Sequence, residues 1–408
     1  MWRAVRTFLV AFLLGLGVSS LATPLVLRFA RARKLFDVPD GARKIHARAI
    51  PRLGGVAITA GFVVPLLAVL FAPNRLGAAL HADTDRLIAF IVGMAGIVGL
   101  GIVDDLKGVG AWGKLSVQAT VGVVLWWGGL SFDQITVLDH PIELGVLSLP
   151  FTIIWVAALV NAMNLIDGLD GLAAGVAFFA AFSLFTIALI DNNAILALFA
   201  AALAGSVLGF LLYNFSPALI FMGDTGSMTI GYIFAACALW STSKRSTALS
   251  LLLPVVALGV PVLDTLFAFA RRALTGRSPF SSDRGHIHHR LLDVGMTQGQ
   301  AVLALYTVCV VLSVGAIVIR TTDDLRYGGV LIALLGALAA VSRTFRSQIL
   351  RSREAETSVP TASTPEDAHA ALPDVGGGSG ASTGDDGAAS TGDDSAGSDD
   401  GDDSDGRS

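Results

Sequence analysis

Charge is what this chain has least of. Only 15% of its 408 residues are charged and 53% are hydrophobic, whereas an ordinary soluble domain is about one quarter charged. Mean hydropathy is +0.69. So little charge cannot cover the two or three solvated domains a soluble chain of this length would form. Cysteine is nearly absent. The only two, Cys237 and Cys309, lie within apolar runs, which leaves no disulfide framework and no cysteine metal cluster. A soluble enzyme and a secreted disulfide module are thereby excluded. Basic residues are missing from one region in particular: residues 354–408 hold 14 of the 32 acidic residues but, of the 28 basic ones, only Arg407. The remaining 353 residues carry 27 basic and 18 acidic side chains, a net of +9 that the overall −4 conceals.

What the chain does have is apolar runs of membrane length. A spanning helix needs about 20 mostly apolar residues, and eleven segments qualify: 7–30, 53–72, 87–103, 115–131, 148–163, 171–190, 193–213, 226–241, 247–269, 300–319 and 327–343. The first is too long for a signal-peptide core and lacks a small-residue cleavage site, so it reads as an uncleaved helix. The expected fold is all-α, a polytopic integral membrane protein with about eleven transmembrane helices over residues 1–350. Residues 351–408 are expected to be a disordered Gly/Ser/Asp-rich tail; they contain no aromatic residue and repeat Ala-Ser-Thr-Gly-Asp-Asp at 381–386 and 389–394, a composition that cannot offset chain entropy by burial.

Loops after odd-numbered helices carry fourteen Lys and Arg residues, and those after even-numbered helices carry six. The positive-inside rule then puts the odd loops, and the tail, in the cytoplasm, with the N-terminus outside. Polar residues near a membrane are functional candidates, and five clusters of them fall on odd loops. Lys44 and His46 precede Arg52-Leu53-Gly54-Gly55; the basic pair can meet a phosphate, and the glycine N–H groups opening a helix can hold an anion. Asp104-Asp105 end a helix where two carboxylates oppose the macrodipole, so they need a cation or another partner; Lys114 and Gln118 follow. Asn161, Asn164, Asp167 and Asp170 recur every third residue, neighbours on a helix, and their hard oxygens suit Mg²⁺ or a nucleoside. Asn214 precedes Phe221-Met222-Gly223-Asp224-Thr225-Gly226-Ser227, where Asp224 can cap a helix and also bind a metal. The last cluster runs from Asp264 through Arg277 to Asp283-Arg284-Gly285-His286-Ile287-His288-His289-Arg290. Zinc is one reading of its histidines, but interleaved Arg and His fit a diphosphate better. Carboxylates for metal and cations for phosphate on an embedded scaffold suit phosphoryl transfer to a lipid-borne acceptor.

These segments resemble the polyprenyl-phosphate N-acetylhexosamine-1-phosphate transferases, the membrane superfamily that includes phospho-N-acetylmuramoyl-pentapeptide transferase. The matching segments span residues 37 to about 295. His286-Ile287-His288-His289-Arg290 is similar to the branch using UDP-N-acetylglucosamine. The resemblance implies that UDP-N-acetylhexosamine and polyprenyl phosphate yield polyprenyl-diphospho-N-acetylhexosamine and UMP, with Mg²⁺ or alternatively Mn²⁺, on the cytoplasmic face of the cell membrane. It implies Asp224 and Asn164 as metal ligands, and Asp104 and Asp105 as the pair handling the lipid phosphate. Asp167 and Asp170 would serve the nucleotide, and Arg277, His286, His288, His289 and Arg290 the sugar-nucleotide. Lys44, His46, Lys114, Asn161 and Asn214 complete the expected substrate contacts. No nucleic-acid partner is expected, and a homodimer is left open. Two alternatives stay open: a muramoyl-pentapeptide donor, and, from another class, a transporter with intramembrane acidic ion sites. A CDP-alcohol phosphotransferase would need an Arg that Asp170-Gly171-Leu172-Ala173-Ala174 lacks.

Overall fold

A computed structural model describes residues 2–37, 50–137, 140–242, 258–274 and 287–322. The described residues are helical nearly throughout. The long helices are α1 (Trp2–Ala32), α2 (Gly54–Phe71), α4 (Thr84–Lys107), α5 (Ala111–Trp127), α6 (Ser148–Ile166), α7 (Leu172–Ile190), α8 (Ala194–Asn214), α9 (Gly223–Thr242), α10 (Gly259–Leu274) and α12 (Gln298–Thr322). Two short ones join them, α3 (Arg75–Ala82) and α11 (Ile287–Asp293). Strands β1 (Phe36–Asp37) and β2 (Ile50–Pro51) pair antiparallel, as do β3 (Gln134–Val137) and β4 (His140–Glu143).

The count of eleven spans is not reached among the described residues. Seven helices there, α1, α2, α4, α6, α7, α8 and α12, are long and apolar enough to cross a membrane. Helix α5, at 17 residues, is at the short limit of a span, and α10 is described only as Gly259–Leu274. Segment 247–269 is described only from residue 258, and 327–343 and the tail lie outside the described residues. Helix α3 and the β3–β4 hairpin were not anticipated. Asn74 starts α3 by accepting the Gly77 N–H at 2.8 Å, a cap hidden in what read as a loop.

Helix α9 runs through the middle of the bundle, against α2, α4 and α6. Its buried Tyr232 donates to the Phe90 carbonyl of α4 at 2.6 Å, and Phe90 stacks on Phe199 of α8 at 5.0 Å. Helices α7 and α8 form a tight antiparallel pair, α8 being started by Asn193, which accepts the Leu196 N–H at 3.2 Å. Apolar side chains such as Leu21 and Leu25 of α1 point outward, as a lipid-facing surface requires. The protein is a multi-pass membrane protein.

For the second, third and fourth polar clusters, the ends of the bundle follow the loop parity. At one end, Arg320 of α12 meets Asp191 of the α7–α8 turn at 2.7 Å, and Arg86 donates to Gly129 at 3.1 Å. At the other end meet the C-terminal ends of α4, α6 and α8 and the N-terminal ends of α2, α5 and α9.

Candidate active site

The start of α9 organises this end. The first N–H groups of a helix have no partner within it. Here Asp105, at the end of α4, accepts from the N–H groups of Asp224 (2.8 Å) and Thr225 (3.0 Å) and from Thr225 Oγ1 (2.6 Å). A carboxylate unfavourable at its own helix C-terminus is thus stabilised at the N-terminus of another. That answers the puzzle of the aspartate pair for one of its members. Asp224 is therefore not the cap: it sits inside the first turn, and its side chain is turned to other partners.

Close approach of backbones makes this possible. A Cβ on Gly101 of α4 would strike the Thr225 backbone, and one on Gly55 of α2 would strike Thr225 and Gly226. The Gly54 and Gly55 N–H groups donate to the carbonyls of Phe221 and Met222, at 2.9 and 2.8 Å. The expectation that they hold an anion is overturned, because both donors are spent fastening α2 to the approach to α9.

Asp224 Oδ1 accepts from Asn164 Nδ2 at 2.8 Å, and Asp224 Oδ2 from Lys114 Nζ at 2.6 Å. Asn164 also donates to Ser227 Oγ at 3.0 Å. Lys114 is ion-paired to Asp104 as well. Asp104 is buried, and its Oδ1 accepts the Val109 N–H at 2.6 Å. Lys114 therefore joins the two carboxylates, Asp104 from α4 and Asp224 from α9.

The four residues spaced by three do not act as one face. Helix α6 ends at Ile166, so the helical premise holds only for Asn161 and Asn164. Asn161 donates to Gln118 Oε1 and to the Ala157 carbonyl, both at 2.7 Å, tying α6 to α5 one turn deeper than Asn164. Asp167 follows the helix end; burial first, and then the charges of Asp224 and Asp105, push its carboxyl well above the usual carboxylate range. Asp170 is buried and accepts the Ala218 N–H at 3.0 Å. Asn214 is buried too, accepting from Gly171 N at 3.1 Å and donating to the Ile220 carbonyl at 2.9 Å. Asp170 and Asn214 clasp the α6–α7 turn to the segment leading into α9.

Lys44, His46, Arg277 and His286 lie outside the described residues. His288, His289 and Arg290 fall on α11, whose first N–H, that of Ile287, donates to the buried Asp264 of α10 at 2.8 Å. Sequence reasoning placed Asp264 and Gln118 beside the clusters but gave neither a task. It named Thr225 only as part of its segment and gave it no role; its signal was a hydroxyl next to an aspartate at a helix start.

Residues 87–242 match the family model described as Glycosyl transferase family 4. A Bacillus subtilis relative, named a probable undecaprenyl-phosphate N-acetylglucosaminyl 1-phosphate transferase, is 37% identical over 321 residues, 78% of this chain and 86% of its own. The chain belongs to glycosyl transferase family 4. A second relative, the decaprenyl-phosphate N-acetylglucosaminephosphotransferase of Mycobacterium leprae, is 34% identical over 76% of this chain and 83% of its own. The phospho-N-acetylmuramoyl-pentapeptide-transferase of Moorella thermoacetica is also 34% identical, over 74% of this chain and 96% of its own. The family 4 match contains Asp104, Asp105, Lys114, Asn161, Asn164, Asp167, Asp170, Asn214 and Asp224.

Whether this family 4 site suits a divalent ion can be judged from its donors. Among the described residues, no three His, Cys, Asp or Glu side chains stand ready around one point. The oxygens are nonetheless of the hard kind that Mg²⁺ takes. Two carboxylates, Asp104 and Asp224, share the one Lys114, and Asp105 lies against the backbone of Asp224. Two carboxylates that share a single ammonium, with hard oxygens at Asn164 beside them, fit a divalent cation.

Proposed function

We propose that this protein transfers N-acetylglucosamine 1-phosphate from UDP-N-acetylglucosamine to polyprenyl phosphate at the cell membrane, releasing UMP and starting a lipid-linked envelope glycan. The observation that carries the reading is the meeting of Asp104, Lys114, Asn164 and Asp224 at one end of an apolar helical bundle. A lipid phosphate and a water-soluble nucleotide can both arrive at that depth. The names of the relatives support the classes of sugar and acceptor. The bias of basic residues supports a cytoplasmic site, with the N-terminus outside and the tail inside.

Asp224 and Asn164, with Asp167 beside them, would hold Mg²⁺, or Mn²⁺ in its place; such an ion neutralises phosphate charge as it transfers. Lys114 supplies a fixed positive charge for the acceptor phosphate. A phosphate monoester has its second pKa near 6, so near neutral pH the acceptor is largely ionised and needs no strong base. One of its oxygens attacks the β-phosphorus of the sugar nucleotide in line. The bond from that phosphorus to the oxygen bridging the two phosphates breaks, and UMP leaves with that oxygen. A covalent phospho-aspartate is disfavoured: Asp105 accepts three hydrogen bonds, and Asp104 is buried, ion-paired and bonded to Val109. Asp105, Asn161, Asp170, Asn214 and Gln118 act as positioning residues. Lys44, His46, Arg277, His286, His288, His289 and Arg290 are assigned to the sugar nucleotide by resemblance.

The test gives folded protein labelled UDP-N-acetylglucosamine, polyprenyl phosphate and Mg²⁺. A butanol-extractable labelled lipid and stoichiometric UMP are expected, and no such lipid at any acceptor length overturns the reading. Parallel arms with UDP-N-acetylgalactosamine and UDP-N-acetylmuramoyl-pentapeptide decide the donor; the likeness to the Moorella protein makes the last arm necessary.

A further inference from the structure

Lys114 draws on the carboxylate that the transferase reading gives to a metal. Its Nζ lies 2.6 Å from Asp224 Oδ2, while Asn164 Nδ2 lies 2.8 Å from Asp224 Oδ1. Both oxygens of Asp224 therefore already accept hydrogen bonds. The same ammonium is paired with Asp104. The two carboxylates differ in access: the Asp104 side chain is 6% exposed and that of Asp224 is 33%. An incoming ion reaches Asp224 first. There it meets a positive charge within hydrogen-bond distance of the oxygen it needs, and like charges so close repel strongly in a half-buried site.

We propose that Lys114 and a divalent ion compete for Asp224, and that ion binding shifts the ammonium from Asp224 onto Asp104. The inference rests on the assignment of Asp224 as a metal ligand. It gives Asp104 a task distinct from that of its neighbour Asp105: Asp105 caps α9, and Asp104 is the buried seat that keeps Lys114 in the site. Lys114 thereby balances the carboxylates without an ion and stands beside the phosphate once an ion is bound. The sign of one substitution follows. Removing the charge at position 114 harms turnover yet tightens ion binding.

The experiment titrates the purified full-length protein with Mn²⁺ in detergent, without nucleotide or lipid, and reads free Mn²⁺ by its EPR signal. Lys114→Met is expected to bind Mn²⁺ about tenfold more tightly than the unaltered chain. Lys114→Arg, which keeps the charge, is expected to bind like the unaltered chain. Equal or weaker binding by Lys114→Met, in protein with native helical circular dichroism and a single elution peak, overturns the proposal. If that variant does not fold, Lys114→Gln is judged by the same criterion. Asp224→Asn separates the two readings. Should it keep the affinity of the unaltered chain, Asp224 is no metal ligand and both the assignment and the competition fall. Should it lose Mn²⁺ while the neutral variants at position 114 bind no more tightly, only the competition falls.

Discussion

The two ends of this bundle are built from the same residue types to opposite effect. At the far end, Asn74 and Asn193 cap the helices they precede, and one cation, Arg320 of α12, meets one carboxylate, Asp191 of the α7–α8 turn. At the site end, the bonds that bring the carboxylates together run between different helices. Asp105 caps α9 from α4, Lys114 of α5 bridges Asp104 and Asp224, and Asn164 reaches Asp224 from α6. The far-end pair sets one cation against one carboxylate. The site end sets two carboxylates, Asp104 and Asp224, against the one Lys114, a surplus that a bound cation can balance, and charge of that kind marks function in a membrane protein.

The largest expected effect comes from removing the shared carboxylate. Asp224→Asn is expected to lower lipid-linked product formation by about three orders of magnitude, the scale of losing several kcal/mol of transition-state charge stabilisation; a radiolabelled butanol-extraction assay measures it. Near-normal turnover would move the metal role away from Asp224. Asp105→Ala comes next. It removes the cap of α9 and should cost about 1–2 kcal/mol of stability, seen as a lower Tm, together with most of the activity. Asp105→Asn retains an acceptor and should recover much of the Tm. A Tm unchanged in Asp105→Ala would deny the capping role.

Gln118→Leu tests the amide pair one turn below the site. Loss of one hydrogen bond, which leaves Asn161 only its bond to the Ala157 carbonyl, should cost about 1–3 kcal/mol, with kcat lowered more than KM for the nucleotide. If KM alone rises, Asn161 and Gln118 belong to substrate binding instead of helix register. The smallest effect is reserved for the far end: Arg320→Gln should leave turnover within about twofold and shift stability by about 1 kcal/mol or less, as partly exposed ion pairs do. A large loss of turnover there would erase the contrast between the two ends.

Much of this was legible in advance. Apolar length and basic asymmetry located the helices and sorted the polar clusters to one side, because the bilayer imposes rules that act on composition alone. Asp224 and Asn164 stood out as polar residues in apolar surroundings, and they do meet. Three readings went astray for a common reason: each assigned a polar group without knowing its distant partner. Gly54 and Gly55 looked like anion donors, yet their N–H groups bind Phe221 and Met222. Asp224 looked like a cap, yet the cap arrives from Asp105. Asn161 through Asp170 looked like one helical face, yet the helix ends before Asp167. Helix α3 was missed because eight residues capped by Asn74 make too short a periodic run to register.

By itself, the sequence determined that this is a membrane protein, where most of its helices run and which residues are out of place in an apolar setting. Those properties depend on composition and spacing within short windows. Only the tertiary structure decided that Asp104 and Asp105, adjacent in the chain, hold different partners: one a lysine, the other a helix start. The physical reason is that a carboxylate's task is set by the donors within about 3 Å of it, and here those donors come from helices up to 120 residues away.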